Sequence, residues 1–186
     1  MRKTAAALAL AVTALTATGC SALEHDYPAG DPAVLSGRLT DRAQWAYGAM
    51  ALPRHEPVAP ARVEPRHSCQ KGGLAVDETA RDAVTFGLGW TVPDVPAGAA
   101  RPAEARLRRA FTTAGWKITH DGNRQGEDWT ELGFRAQDPA TGDQFDLAWN
   151  SGTTSLFLTG YTPCARVPQD VADAAAVGEE WTPRAS

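Results

Sequence analysis

His120-Asp121 sets a base beside a carboxylate at the end of a strand-like stretch. A histidine held by a carboxylate moves protons near neutral pH, which is the equipment of a small hydrolase. Acidic and aromatic residues follow at once: Glu127, Asp128, Trp129 and Glu131. Neighbouring side chains on a strand point to opposite faces, however, which argues against a direct His120–Asp121 couple. His25, His55 and His67 lie in or beside segments without apolar periodicity, and no two histidines stand at zinc-ligand spacing. The chain has no Gly-x-Ser-x-Gly elbow and no Walker-type phosphate loop, and Gly87-Leu88-Gly89 falls inside a strand pattern. These residues predict no catalytic side chain, no metal site and no cofactor.

Residues 121–126 also begin like a calcium loop, with oxygen side chains at Asp121 and Asn123 and a glycine sixth, Gly126. That template needs Asp or Asn fifth, where Gln125 stands, and a bidentate Glu twelfth, where Leu132 stands. The match fails at its strictest ligands, so the stretch reads as a polar loop between strands. Trp129 with Asp121, Glu127 and Asp128 is the expected contact set. Of the six tryptophans, Trp90, Trp116 and Trp149 fit buried strand faces, while Trp129 and Trp181 read either as marks of a contact surface or as core and incidental exposure, the latter being the commoner case.

Three cysteines, Cys20, Cys69 and Cys164, raise a question of parity. Arg2 and Lys3 precede a run of Ala, Leu and Val from Ala5 to Ala17, the layout of a secretory signal. The run is shorter than the ~20 residues a spanning helix needs. Ala17-Thr18-Gly19-Cys20 then resembles the lipobox of bacterial lipoprotein precursors, although Ala17 stands where that family usually has Leu. The resemblance covers this segment alone. It implies acylation of Cys20, removal of residues 1–19, and a mature chain held at a bilayer on the extracytoplasmic side. Two acyl chains suffice for stable anchoring. The competing reading is an ordinary signal cut near Ala17 or Ala22. With Cys20 acylated, Cys69 and Cys164 remain, and an oxidising compartment favours their pairing. A reactive thiol near His67 is the alternative.

Loss of Arg2 and Lys3 takes the formal charge from −4 to about −6. No basic stripe appears, and nucleic acid is excluded as a partner. Only Lys3, Lys71 and Lys117 are lysines, and with abundant Ala, Gly and Pro the composition resembles actinobacterial coding.

The elements that must position any site are these. Residues 20–30 form a tether. Asp31-Pro32 opens an N-terminal helix over 31–51, with Leu35, Leu39, Ala43, Ala46 and Met50 on one face and Trp45 and Tyr47 off it. Residues 52–67 are proline-rich and read as an extended linker. The folded domain spans 68–164. Strands are expected over 84–92, 116–120, 130–136, 145–149 and 156–161, with a loop at 93–100 and a helix over 103–114. Residues 165–186 read as a tail, with one short helix at 169–177. The fold class is α+β: a five-stranded antiparallel meander packed on one helix, preceded by the N-terminal helix and linker.

The functional expectation is a membrane-anchored, non-enzymatic binding module of the cell envelope. Its expected partners are the bilayer, through acylated Cys20, and an envelope protein or glycan. A small hydrolase using His120 and the acidic residues of 121–131 is the first alternative, and a structural or chaperone-like component the second.

Overall fold

The computed structural model describes residues 26–52, 61–71, 78–127 and 129–181. In chain order the elements are α1 (Pro32–Met50), β1 (Ala61–Arg66), β2 (Ala83–Val92), α2 (Ala97–Thr113), β3 (Lys117–Asp121), β4 (Arg124–Gln125), β5 (Thr130–Gln137), β6 (Gln144–Asn150), β7 (Leu156–Tyr161), β8 (Ala165–Arg166), α3 (Gln169–Ala172) and β9 (Val177–Trp181). Apolar residues at every second position drive the sheet: Val84, Phe86, Leu88, Trp90 and Val92 on β2, Phe145, Leu147 and Trp149 on β6, and Leu156 and Leu158 on β7 are all buried. The strand order is β3-β5-β6-β7-β2-β1-β9, with β4 pairing to β5 and β8 to β2. The five expected strands are β3, β5, β6, β7 and β2. They are contiguous and antiparallel, and the first four form the meander.

Both long helices lie against one face of this sheet. Asp31 caps α1 by accepting from the Ala33 and Val34 N–H groups, and the predicted stripe of Leu35, Leu39, Ala43, Ala46 and Met50 is buried. Tyr47, expected off that stripe, is buried too, because α1 touches α2 as well as the sheet. Trp45 remains two-fifths exposed, with its ring edge-on to Phe111. Arg106 of α2 donates to the Met50 carbonyl at 2.9 and 2.6 Å, satisfying the C-terminal end of α1. Two arginines one turn apart on α1 grip the β5–β6 turn. Arg38 meets both oxygens of Asp143 at 2.8 Å, and Arg42 meets Asp138 at 2.7 Å.

Three expected boundaries are corrected. The linker at 52–67 does not run clear of the fold: Ala61–Arg66 is strand β1, between β2 and β9, with Ala61 and Val63 buried. Residues 53–60 of that expectation lie outside the described residues. The tail at 165–186 is not frayed over its described part, since Val177–Trp181 pairs with β1 and the helix contracts to Gln169–Ala172. Its Ala- and acid-rich composition favours helix locally, but pairing with a distant strand prevails. Trp181, for which the residue pattern leaves both core and contact surface open, is only 8% exposed and packs edge-on to Trp90 at 4.9 Å. The loop at 93–100 gives way at Ala97 to α2, leaving Pro102 within the helix rather than in its first turn. The folded unit therefore reaches well outside 68–164, on both sides. Cys69 and Cys164 form a disulfide with Cα atoms 5.8 Å apart.

Candidate binding cleft on the open sheet face

With both long helices on one face, the other face of the sheet is open among the described residues, and strand register arranges its side chains in rows. Antiparallel pairing sets His120, Arg135, Asp146 and Thr159 side by side. The next row toward the β4–β5 hairpin is Gly133, Ala148, Phe157 and Thr91. The row after that is Arg124, Glu131 and Asn150. Polar rows thus flank a row that begins with the two smallest side chains. Rows on one face are two residues apart, roughly 7 Å, so the flanking rows stand about 14 Å from each other. The result is a cleft of ≈ 370 Å³ with Gly133 and Ala148 in its lining. Phe157, two-fifths exposed, neighbours Ala148 on the next strand.

The two walls differ electrostatically. Arg135 and Asp146 satisfy each other through two bonds of 2.7 and 2.9 Å, and the carboxylate holds the guanidinium above its ordinary pKa. On the opposite wall Arg124 and Glu131 are cross-strand neighbours, yet neither has an ion pair or side-chain hydrogen bond among the described residues. Asn150 Oδ1 accepts from the Thr153 N–H and hydroxyl, which fixes the side chain. His120 projects into the cleft from β3.

Asp121, one residue on, turns to the helix face. Its carboxyl accepts from the Asn123 N–H and then from Arg108 at 3.0 Å, and these bonds hold its pKa below the usual carboxylate value. Arg108 also binds Glu104 at 2.8 Å and lies over the Phe134 ring. His120 and Asp121 therefore diverge, as strand geometry requires. Of the expected contact set, Trp129 is 48% exposed and lies against Gly126 in the β4–β5 turn. Glu127 is exposed in the same turn, and Asp128 lies outside the described residues. The structure brings His120, Arg124, Glu131 and Asn150 together, and it leaves Asp121, Glu127 and Trp129 out of the cleft lining.

A signal for the cleft does exist in the chain. Glu131-x-Gly133-x-Arg135 and Asp146-x-Ala148-x-Asn150 both place a small residue between polar ones at strand period. It becomes informative only once the register aligns the two triplets. A second hollow, of ≈ 710 Å³, lies between the first half of α1 and β9. Its ionisable side chains are the carboxylates of Asp31, Asp41, Glu179 and Glu180, and Glu180 is bonded to Arg62. No family model, no curated protein and no solved structure matches the chain.

Proposed function

We propose that the chain is an extracytoplasmic, lipid-anchored binding module that holds a small polar solute on the open face of its sheet. The observation that carries this reading is the cleft itself, small residues enclosed by open donors and acceptors. Its volume falls in the range of ordinary ligand sites. Arg124 and the Asn150 amide donate, Glu131 accepts, and His120 does either. Such a set suits a hydroxyl- or amide-rich molecule of the size of a sugar, with the exposed Phe157 ring beside the floor as an apolar surface. Support for export comes from the lipobox-like segment and from the Cys69–Cys164 pairing, which an oxidising compartment maintains. Among the described residues no helix is long and apolar enough to cross a membrane. The anchor in this reading is the acylated Cys20.

The hydrolase alternative gains His120 and Glu131 in one cleft but loses Asp121 to Arg108. No Ser, Thr, Cys or Lys side chain lines the cleft, and of its two carboxylates Asp146 is held by two bonds from Arg135. Binding is the better supported role. The test is a titration of the isotope-labelled protein with soluble oligosaccharides, followed by amide shifts. Shifts centred on 131–135 and 146–150, weakened in Glu131→Gln and Arg124→Ala, are expected. Shifts confined to the 126–129 turn, or unaffected by either substitution, would overturn the assignment.

A further inference from the structure

We infer that the cleft opens at the pole of the molecule farthest from the bilayer, so that its ligand arrives from the aqueous side and is not a lipid headgroup. This rests on the anchoring proposed above. Residues 26–30 are not a loose leash. Arg166 grips the Asp26 carboxylate at 2.7 Å, its N–H donates to the Pro28 carbonyl, and its own carbonyl accepts from the Gly30 N–H, both at 2.9 Å. The Tyr27 hydroxyl donates to the Gln70 carbonyl at 2.7 Å, and its ring packs on the cluster of Cys69, Ala80 and Ala83. Only residues 20–25 then remain between the acylated sulfur and the pinned chain, a reach of about 20 Å even if fully extended. That short reach keeps the disulfide pole of the sheet against the membrane.

The register shows where the cleft lies relative to that pole. Arg166 is opposite Ala83 at the start of β2. The Gly133–Ala148 floor continues through Phe157 to Thr91 near the end of β2. Eight residues along a strand separate Ala83 from Thr91, roughly 26 Å. The Arg124–Glu131–Asn150 wall and the β4–β5 turn lie farther out still. The partner that fits is a water-borne polar solute, or one carried on the wall side of the membrane.

The experiment uses the full acylated chain reconstituted in neutral phospholipid vesicles that carry a headgroup-level quencher. A single fluorophore is placed at Arg81→Cys near the disulfide, or at Glu127→Cys or Gly152→Cys at the far end. All three sites are exposed, and peptide mapping confirms the native Cys69–Cys164 pair in each variant. Strong loss of emission at position 81, with near-full emission at both 127 and 152, is expected. Equal quenching at all three, or stronger quenching at 127 and 152, overturns the orientation while leaving the anchor intact. Absence of acyl mass on Cys20 in the same samples overturns the anchor and the orientation together.

Discussion

Removing the carboxylate of Asp143 tests how the N-terminal helix is held to the sheet. Asp143 is fully buried, whereas the side chains of Arg38 and Arg42 are 28% and 23% exposed. Arg38 contributes two charge-assisted bonds at 2.8 Å, and Arg42 Nε lies 3.4 Å from the same carboxylate. Each bond of this kind is worth about 1.5–3 kcal/mol, and breaking a wholly buried pair costs about 3–5 kcal/mol. About a quarter of each arginine side chain is exposed, and Arg42 keeps its bond to Asp138, so the loss falls lower, at about 2–4 kcal/mol. For a chain of this size that is a Tm drop of about 5–15 °C. Asp143→Ala, Arg38→Ala and the double variant form a cycle readable by urea denaturation. A coupling of about 1–3 kcal/mol is expected for groups in direct contact. If the single losses add to within ~0.3 kcal/mol, the pair behaves as an ordinary surface contact and the reasoning is wrong.

Gly160→Ala should destabilise by about 1–3 kcal/mol in the same assay, because an added Cβ would fall 2.6 Å from Phe145 Cζ and 2.8 Å from Leu39 Cδ1. Replacing Cys69 and Cys164 together by serine removes a crosslink across 95 residues, and the chain-entropy model then predicts a loss of about 4–5 kcal/mol by denaturant titration. Acid should destabilise the fold through Asp121 and Asp138. Burial raises the Asp138 pKa, but the Ala140 N–H, Arg42 and Thr141 outweigh it, and both groups end below the usual value. The folded state thus stays ionised where the unfolded chain takes up protons. This stabilisation is complete above the ordinary carboxylate range and fades as pH falls from about 5 toward 3. Asp138→Asn should flatten that part of the urea-midpoint profile, and an unchanged slope would count against the assignment.

Much of this architecture was legible in the residue pattern, because the apolar alternation of β2, β5 and β6 spans three to five inward positions each, and β7 adds Leu156 and Leu158 directly after a turn. The α1 stripe and the Asp31 cap were equally readable. Strand β1 was not. Ala61-Arg62-Val63-Glu64-Pro65-Arg66 alternates over two apolar residues only, inside a proline-rich run, and its strand character comes from partners on β2 and β9. Strand β9 was hidden likewise, since Gly178 at φ +81° interrupts its pattern and Trp181 has its ring partner, Trp90, across the fold. The expected polar contact set lies along one loop. The cleft instead draws on four strands, so that no local stretch contains it: residues 120–131 supply His120, Gly122, Arg124 and Glu131, and the rest comes from β5 and β6.

Strand β1 sits between one neighbour that follows it closely and another drawn from the far end of the described chain. A polypeptide is made from its N-terminus, so the outer edge of β1 stays unpaired until more than a hundred further residues exist. Closure is therefore non-local, and such topologies fold slowly. A product truncated before Val177 would carry a bare β1 edge and an uncovered Trp90, which makes the arrival of Val177–Trp181 the step that covers this edge against self-association.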